Sequence, residues 1–581
     1  MKRRITWLLA LSLVLSAALT GCGGGAATEP EATDAPASEA TAENTEVNEV
    51  VADETIANPA KDRDNASDTI VLGMTEAKGE LLPAYFSTTY DGYLVRIMFD
   101  RLITNNTEGE PIPEIAKDWE LSNENKTYTF HLRDDVKFWD GTPLTAKDVA
   151  FTFTALCDPS YDGRYFSEVE QLTGYDAYKN GDAESVEGIK VIDDYTISFT
   201  YDVAKAARIW NLEIGIMPEH FYGFEKGNAQ SMRDKMNAFE IMGSGRYEFK
   251  SFEPKQFATF TANEEWYGGE VKTKNLITKF TTPDTYFQEM QAGTVDIQLR
   301  VPAKDENKIQ IEDMGFMNIN PYMANSYGYI GFNLRDPRLE DKEVRQALTY
   351  GFNRNAFIQI YFNGNASLIN TPISKVSWAY TDEVNPYNYD PEKANAMLDE
   401  AGWIDTNGDG TRDKDGQELQ FVWDTYTDSR YVETMIPMLQ ADWKKIGVGV
   451  EANLMDFSTL VEKVYTERNF DLYNMAWSLT TDPGSNYSTF HSKFDVADGN
   501  NSVGLRNDRI DELLVKGNVE FDQEKRKEIY KEFALAMNEE LPYMFLSQGQ
   551  DWDAVNARVK GYKVTPYENW AYNVHNLEVV D

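Results

Sequence analysis

The chain has 581 residues, with 96 Asp and Glu against 55 Lys and Arg and a formal net charge of −41. Such an acidic surface repels phosphate backbones and anionic headgroups, which excludes nucleic acid as a partner. The length exceeds what one hydrophobic core supports and predicts two or three domains.

At the N-terminus, Lys2, Arg3 and Arg4 precede an apolar run from Trp7 to Leu19, followed by Leu19-Thr20-Gly21-Cys22. This order is an export signal, and its apolar run is shorter than the ~20 residues a membrane-spanning helix needs. The tetrapeptide resembles the lipobox of bacterial lipoproteins, which implies cleavage after residue 21 and an acylated Cys22. A plain secretory signal beside an incidental cysteine is the alternative. Acyl chains would fix the protein to the outer face of the cytoplasmic membrane, and a Gram-positive cell surface fits better than a periplasm. The second cysteine, Cys157, ends an apolar helical pattern and reads as core, so no disulfide is expected. Residues 22–67 are rich in Ala, Thr, Glu, Gly and Pro. That composition buries too little to offset the entropy of folding, and predicts a disordered acidic tether.

From Thr127 to Arg133 apolar residues alternate with polar ones, Tyr128, Phe130 and Leu132 on one face, as in a half-buried strand. Trp119–Leu121 before it and Val136–Trp139 after it, with turn residues between, are hairpin signals. Thr145 stands three residues before Asp148 and ahead of an apolar helical pattern, which predicts a capped helix start. Asp390-Pro391 opens and Gly402 closes a helix by the usual cap preferences. Asp405, Asn407, Asp409 and Asp413, with Gly410 at the sixth position, have the spacing of a calcium loop, but Gly416 stands where the bidentate Glu belongs. A structural Ca2+ and a plain Asx/Gly turn are both open there. A helix is expected from Asp522 to Asn538, with Ile529, Phe533, Ala536 and Met537 on its buried stripe.

Several segments occur in family order: Ile115-Ala-Lys-Asp-Trp119, Tyr128-Thr-Phe-His-Leu-Arg133, Asp140-Gly-Thr-Pro143, Thr145-Ala-Lys-Asp-Val149, Gly331-Phe-Asn333, Val344-Arg-Gln-Ala-Leu348 and Leu398-Asp-Glu-Ala-Gly-Trp403. Together they resemble the signature of the oligopeptide-binding proteins, the family 5 solute-binding proteins of ABC importers. The resemblance implies an α/β fold of the two-lobed periplasmic-binding-protein type (class II), with a hinge. The first lobe would comprise 68–318 and 548–581, with an inserted subdomain near 109–215, and the second lobe 319–547. A short peptide or other small solute would be captured in the interlobe cleft and handed to membrane permease subunits by a monomeric protein without a catalytic cofactor. An oligosaccharide, a nickel chelate or a sensing role are the alternatives. By the same resemblance the cleft residues would be Tyr85, Ser87, Tyr90, Phe457, Trp477, Ser478, Thr480 and Asp482. Thr480 stands where many peptide receptors carry an Asp that holds the peptide's ammonium, and a hydroxyl compensates a buried ammonium poorly. Asp482 would take that role after a small loop shift, or the ligand would lack a free amine.

An enzyme is disfavoured. The four histidines, His131, His220, His491 and His575, show no pair at zinc-ligand spacing, and Gly243-Ser244-Gly245 lacks the spacing of a nucleophile elbow.

Overall fold

The computed structural model describes residues 50–580 apart from Glu54 and Asp428. The export signal, Cys22 and the first part of the expected tether lie outside the described residues.

Two sheets are built on one continuous strand. Tyr543–Asn556 is 14 residues long, more than twice the usual strand. Its first half pairs with Ser326–Phe332, while its second half pairs with Met317–Met323 and Ile297–Pro302. In the first lobe the sheet continues through Thr69–Met74, Asn275–Phe280, Phe257–Ala262 and Tyr247–Glu253. Thr69–Met74 is buried at all six positions and runs parallel to both neighbours, and its near-continuous apolar run is what a parallel strand covered on both faces requires. In the second lobe the order is Gly449–Met455, Gln420–Tyr426, Leu472–Ser478, Ser326–Phe332. The chain therefore crosses between lobes twice, at Met323–Ser326 and within Ser547–Gln550. This moves the expected boundary: Ile319–Met323 pair with Ala554–Gln550 and belong to the first lobe.

Each lobe buries its own core. One cluster gathers Ile70, Leu72, Leu94 and Phe99 with the residues of a separate four-stranded sheet, and another gathers Tyr329, Phe332, Trp423, Trp443 and Phe545. The separate sheet, Ala116–Ser122, Thr127–Leu132, Thr196–Thr200 and Ile189–Asp193, stands on the first lobe. Tyr128, Phe130 and Leu132 point into its core, in the period of two visible in the sequence. Val136–Trp139 forms no strand and closes instead as a loop, with only Lys137 bridging to Pro143.

Helix ends follow the cap chemistry. Thr145 accepts from the Lys147 N–H and its own N–H donates to Asp148, opening Ala146–Leu156. Asp390 caps Pro391–Glu400, and Gly402 takes the left-handed conformation (φ +84°). Asp522 caps Gln523–Glu540, which buries Phe533, Ala536 and Met537 as expected, but leaves Ile529 half-buried and buries Arg526, Tyr530 and Asn538 as well.

Residues 50–67, expected to belong to the tether, are instead bound to the first lobe. Val50, Ala60 and Ala66 are buried, Asn58 donates to Asn556 at 2.6 Å, and Arg63 pairs at 2.6 Å with Asp296, which also receives Arg558 at 2.8 Å. Few apolar groups are needed because the segment is held by polar bonds to the first-lobe sheet.

Candidate functional site

Between the lobes lies a cavity of about 590 Å3, within the usual range for a small-molecule site. The first lobe contributes Phe86, Tyr165, Glu168 and the 3-10 segment around Trp210; the second contributes Leu479 to Asp482, Tyr487 and Asn518. Trp210 and Asp482 separate it from a second interlobe chamber of about 380 Å3, lined by Trp119, Tyr128, Trp378 and Arg526. A larger depression of about 670 Å3 lies on the second lobe alone, where Arg338 is spent on Asp336 and Asp471.

The second-lobe lip is rigid for local reasons. Leu472–Ser478 ends at the cleft, and Asn325, beside one crossing, donates to the carbonyls of Leu479 (3.2 Å) and Thr480 (3.1 Å). Asp482 caps the turn Pro483–Ser485 by accepting from the Gly484 N–H at 2.8 Å. Both its oxygens also receive Arg526, at 2.8 and 2.9 Å. Asp482 lines the cavity, but its charge is already neutralised by a bidentate guanidinium, which makes it a weak anchor for a ligand ammonium. Thr480 also lines the cavity, its hydroxyl turned back to the Asp482 carbonyl at 2.7 Å.

The other expected residues are placed elsewhere. Tyr85 is buried in the first lobe, its hydroxyl on the Ala229 carbonyl at 3.2 Å and its ring under Arg233. Ser87 is exposed and bonds Glu80 at 2.5 Å. Tyr90 packs edge-on to Tyr93. Phe457 is 55 % exposed against Tyr426. Trp477 and Ser478 pair with Tyr327 and Ser326 in the sheet and do not line the cavity. The loop after the first strand does reach the site, through Phe86, which packs on Tyr165. Phe86, Glu168, Lys205, Trp210, Tyr487 and Asn518 carried no sequence signal, since most sit in loops or in helical turns too short to show a period.

Of the charged groups lining the cavity, Arg101 pairs with Glu213, which also accepts from the Tyr572 hydroxyl at 3.4 Å. Burial raises the carboxyl of Glu168, and burial, then Arg208 and Lys493, lowers the ammonium of Lys205. Both shifts report a site that disfavours uncompensated charge.

The calcium spacing closes as a chain of Asx turns. Asp405 accepts from the Gly408 and Gly410 N–H groups, Asn407 from Asp409, and Asp409 from Thr411, while Asp413 is held by Thr406. Their oxygens are directed at the loop's own donors, and among the described residues no three His, Cys, Asp or Glu side chains converge as a metal group. Three histidines each face a separate carboxylate: His131 with Asp118, His220 with Asp140, His491 with Asp511. Cys157 is buried, with its thiol pushed up by burial. Ser244 is buried on Asp100 at 3.3 Å, and a Cβ on Gly243 or Gly245 would strike the Met98 carbonyl.

Two lobes joined by two crossings, with an aromatic and polar cavity between them, define a solute-binding protein of the periplasmic-binding-protein fold. Residues 110–498 match the model of the bacterial extracellular solute-binding proteins, family 5 (middle region), and the chain belongs to that family. It is 30 % identical over 452 residues to the oligopeptide-binding protein AppA of Bacillus subtilis, covering 77 % of this chain and 80 % of that one. Among solved structures, that protein in complex with a nonapeptide superposes with a TM-score of 0.67 at 27 % identity, covering 89 % and 100 % of the two chains. NikZ of Campylobacter jejuni in complex with Ni(L-His) gives 0.69 at 25 %, covering 88 % and 99 %. The family is extracytoplasmic and consists of solute-binding proteins, and no described helix is long and apolar enough to cross a membrane.

Proposed function

We propose that this chain is the receptor of an ABC importer, anchored through acylated Cys22 to the outer face of the cytoplasmic membrane of a Gram-positive cell. It captures short peptides as a monomer and passes them unchanged to the permease subunits. The observation that carries this reading is the cavity walled by both lobes, because a ligand touching both favours the closed state and couples capture to a shape the permease can read. Support for peptides comes from the oligopeptide-binding relative, and from a lining of aromatic rings, hydroxyls and amides, groups suited to main-chain polar atoms and varied side chains. The Leu19–Cys22 tetrapeptide supports the anchor.

Incubation with a mixed peptide pool, followed by mass spectrometry of the bound and free fractions, tests it. Intact peptides should co-purify with the protein. Accumulation of shortened products with turnover would point to a hydrolase and sink the reading. A nickel chelate retained in place of peptides would support the other solute class represented among the structural relatives.

A further inference from the structure

Five charged side chains line the larger cavity: Arg101, Glu168, Lys205, Glu213 and Asp482. Three are neutralised within the protein, Arg101 with Glu213 and Asp482 with Arg526. Glu168 and Lys205 form no ion pair among the described residues. Glu168 receives only the Ser167 hydroxyl at 3.3 Å. Arg208 and Arg164 are within electrostatic reach of it, but Arg208 bonds Gln171 and Arg164 bonds the Ser87 carbonyl at 3.2 Å. Lys205 precedes the 3-10 segment Ala206–Leu212, and the like charges of Arg208 and, from the facing lobe, Lys493 act on it, opposed by Glu170 at a distance. Every other polar side chain on the second-lobe wall is neutral: Thr480, Thr481, Ser485, Tyr487, Ser488 and Asn518.

Two opposite charges left open in one cavity call for a ligand carrying both. We propose that the solute is a zwitterion whose ammonium docks on Glu168 and whose carboxylate docks on Lys205, so that charge recognition lies wholly on the first lobe. This rests on the peptide-capture reading and narrows it to peptides with both ends free, short enough for both termini to lie in a cavity of about 590 Å3. The acidic anchor that Thr480 cannot supply is provided from the opposite wall. A carboxylate at Lys205 also screens that residue from the like charge of Lys493 on the facing lobe.

The test uses the full chain in detergent and a library of free tripeptides mixed with N-acetylated and C-amidated counterparts, with the retained fraction quantified by mass spectrometry. Wild type should retain free-ended peptides about tenfold or more over either capped set, as expected for a charge-assisted hydrogen bond in a drying site. Glu168→Gln should lose the preference for a free amine and keep that for a free carboxylate; Lys205→Met should do the reverse, a split that misfolding would not produce. Glu168→Asp and Lys205→Arg should retain part of each preference and serve if the first pair fails to fold. Equal retention of capped and free peptides by wild type, or variants that keep both preferences, would overturn the inference and leave peptide capture standing. Retention of no peptide in any form would overturn both.

Discussion

Replacing Arg526 by Met should unlock the lip of the cleft. The guanidinium meets both oxygens of Asp482, at 2.8 and 2.9 Å, with the two side chains only 5 % and 8 % exposed. It also donates to the Gly517 carbonyl at 3.0 Å and stacks on Trp378 and Tyr530. Removing one partner of a buried pair strands the other charge, at a cost of roughly 3–5 kcal/mol. Asp482 keeps one bond, from the Gly484 N–H, which favours the lower figure. For a folding unit of about 150–250 residues each kcal/mol moves the midpoint by about 2–4 °C, so the second-lobe transition should fall by about 6–12 °C. Calorimetry of the ligand-free protein measures this. The double variant Asp482→Asn/Arg526→Met keeps the cap and leaves no stranded charge, and should regain most of the loss. A single variant within about 1 kcal/mol of wild type, or a double variant no better than the single, would show that water already screens the pair and refute the argument.

Further predictions concern the first lobe and its contacts. Burial raises the carboxyl of Asp553 to about 6, above the ~3.9 of an unfolded Asp, so the folded chain binds the extra proton and this group's stabilisation is lost as pH rises through about 4 to 6. Asp553→Asn should remove ~3 kcal/mol of that pH-dependent change in urea melts, and a pH dependence unchanged from wild type would count against it. His575 acts in the opposite sense: burial first, then Arg246 and Arg96, lower it to about 4, so its stabilisation is present above about 6.5 and lost as pH falls toward 4. His575→Gln should lessen the loss on acidification in the same melts. Gly109 sits at φ +79°, with its missing Cβ 2.7 Å from Thr481 across the cleft. Gly109→Val should hold the lobes apart, raising the radius of gyration by solution scattering and weakening ligand binding about tenfold; unchanged affinity would mean that the loop yields freely. A chain beginning at residue 67 should melt several degrees below one beginning at residue 50, because it loses Arg63 on Asp296 and the buried Ala60. Equal midpoints would restore the longer tether.

What could be read from the sequence was whatever local physics decides. The alternation at Thr127–Arg133, the Thr145 cap, and the Asp390-Pro391 start with Gly402 as its stop each depend on neighbours within a few residues, and the structure has each in place. The order of the short segments carried the family, and with it the two lobes. Pairing across distance was not legible. A single strand serving both sheets, Asp482 neutralised by Arg526 44 residues away, and Arg63 reaching Asp296 arise only when remote segments meet. The site followed the same rule. Resemblance led to the right loops but not to the right side chains, since one step along the chain separates buried Tyr85 from cavity-lining Phe86. Whether a charged group serves the ligand depends on which charges the fold has already paired, and that accounting exists only in three dimensions.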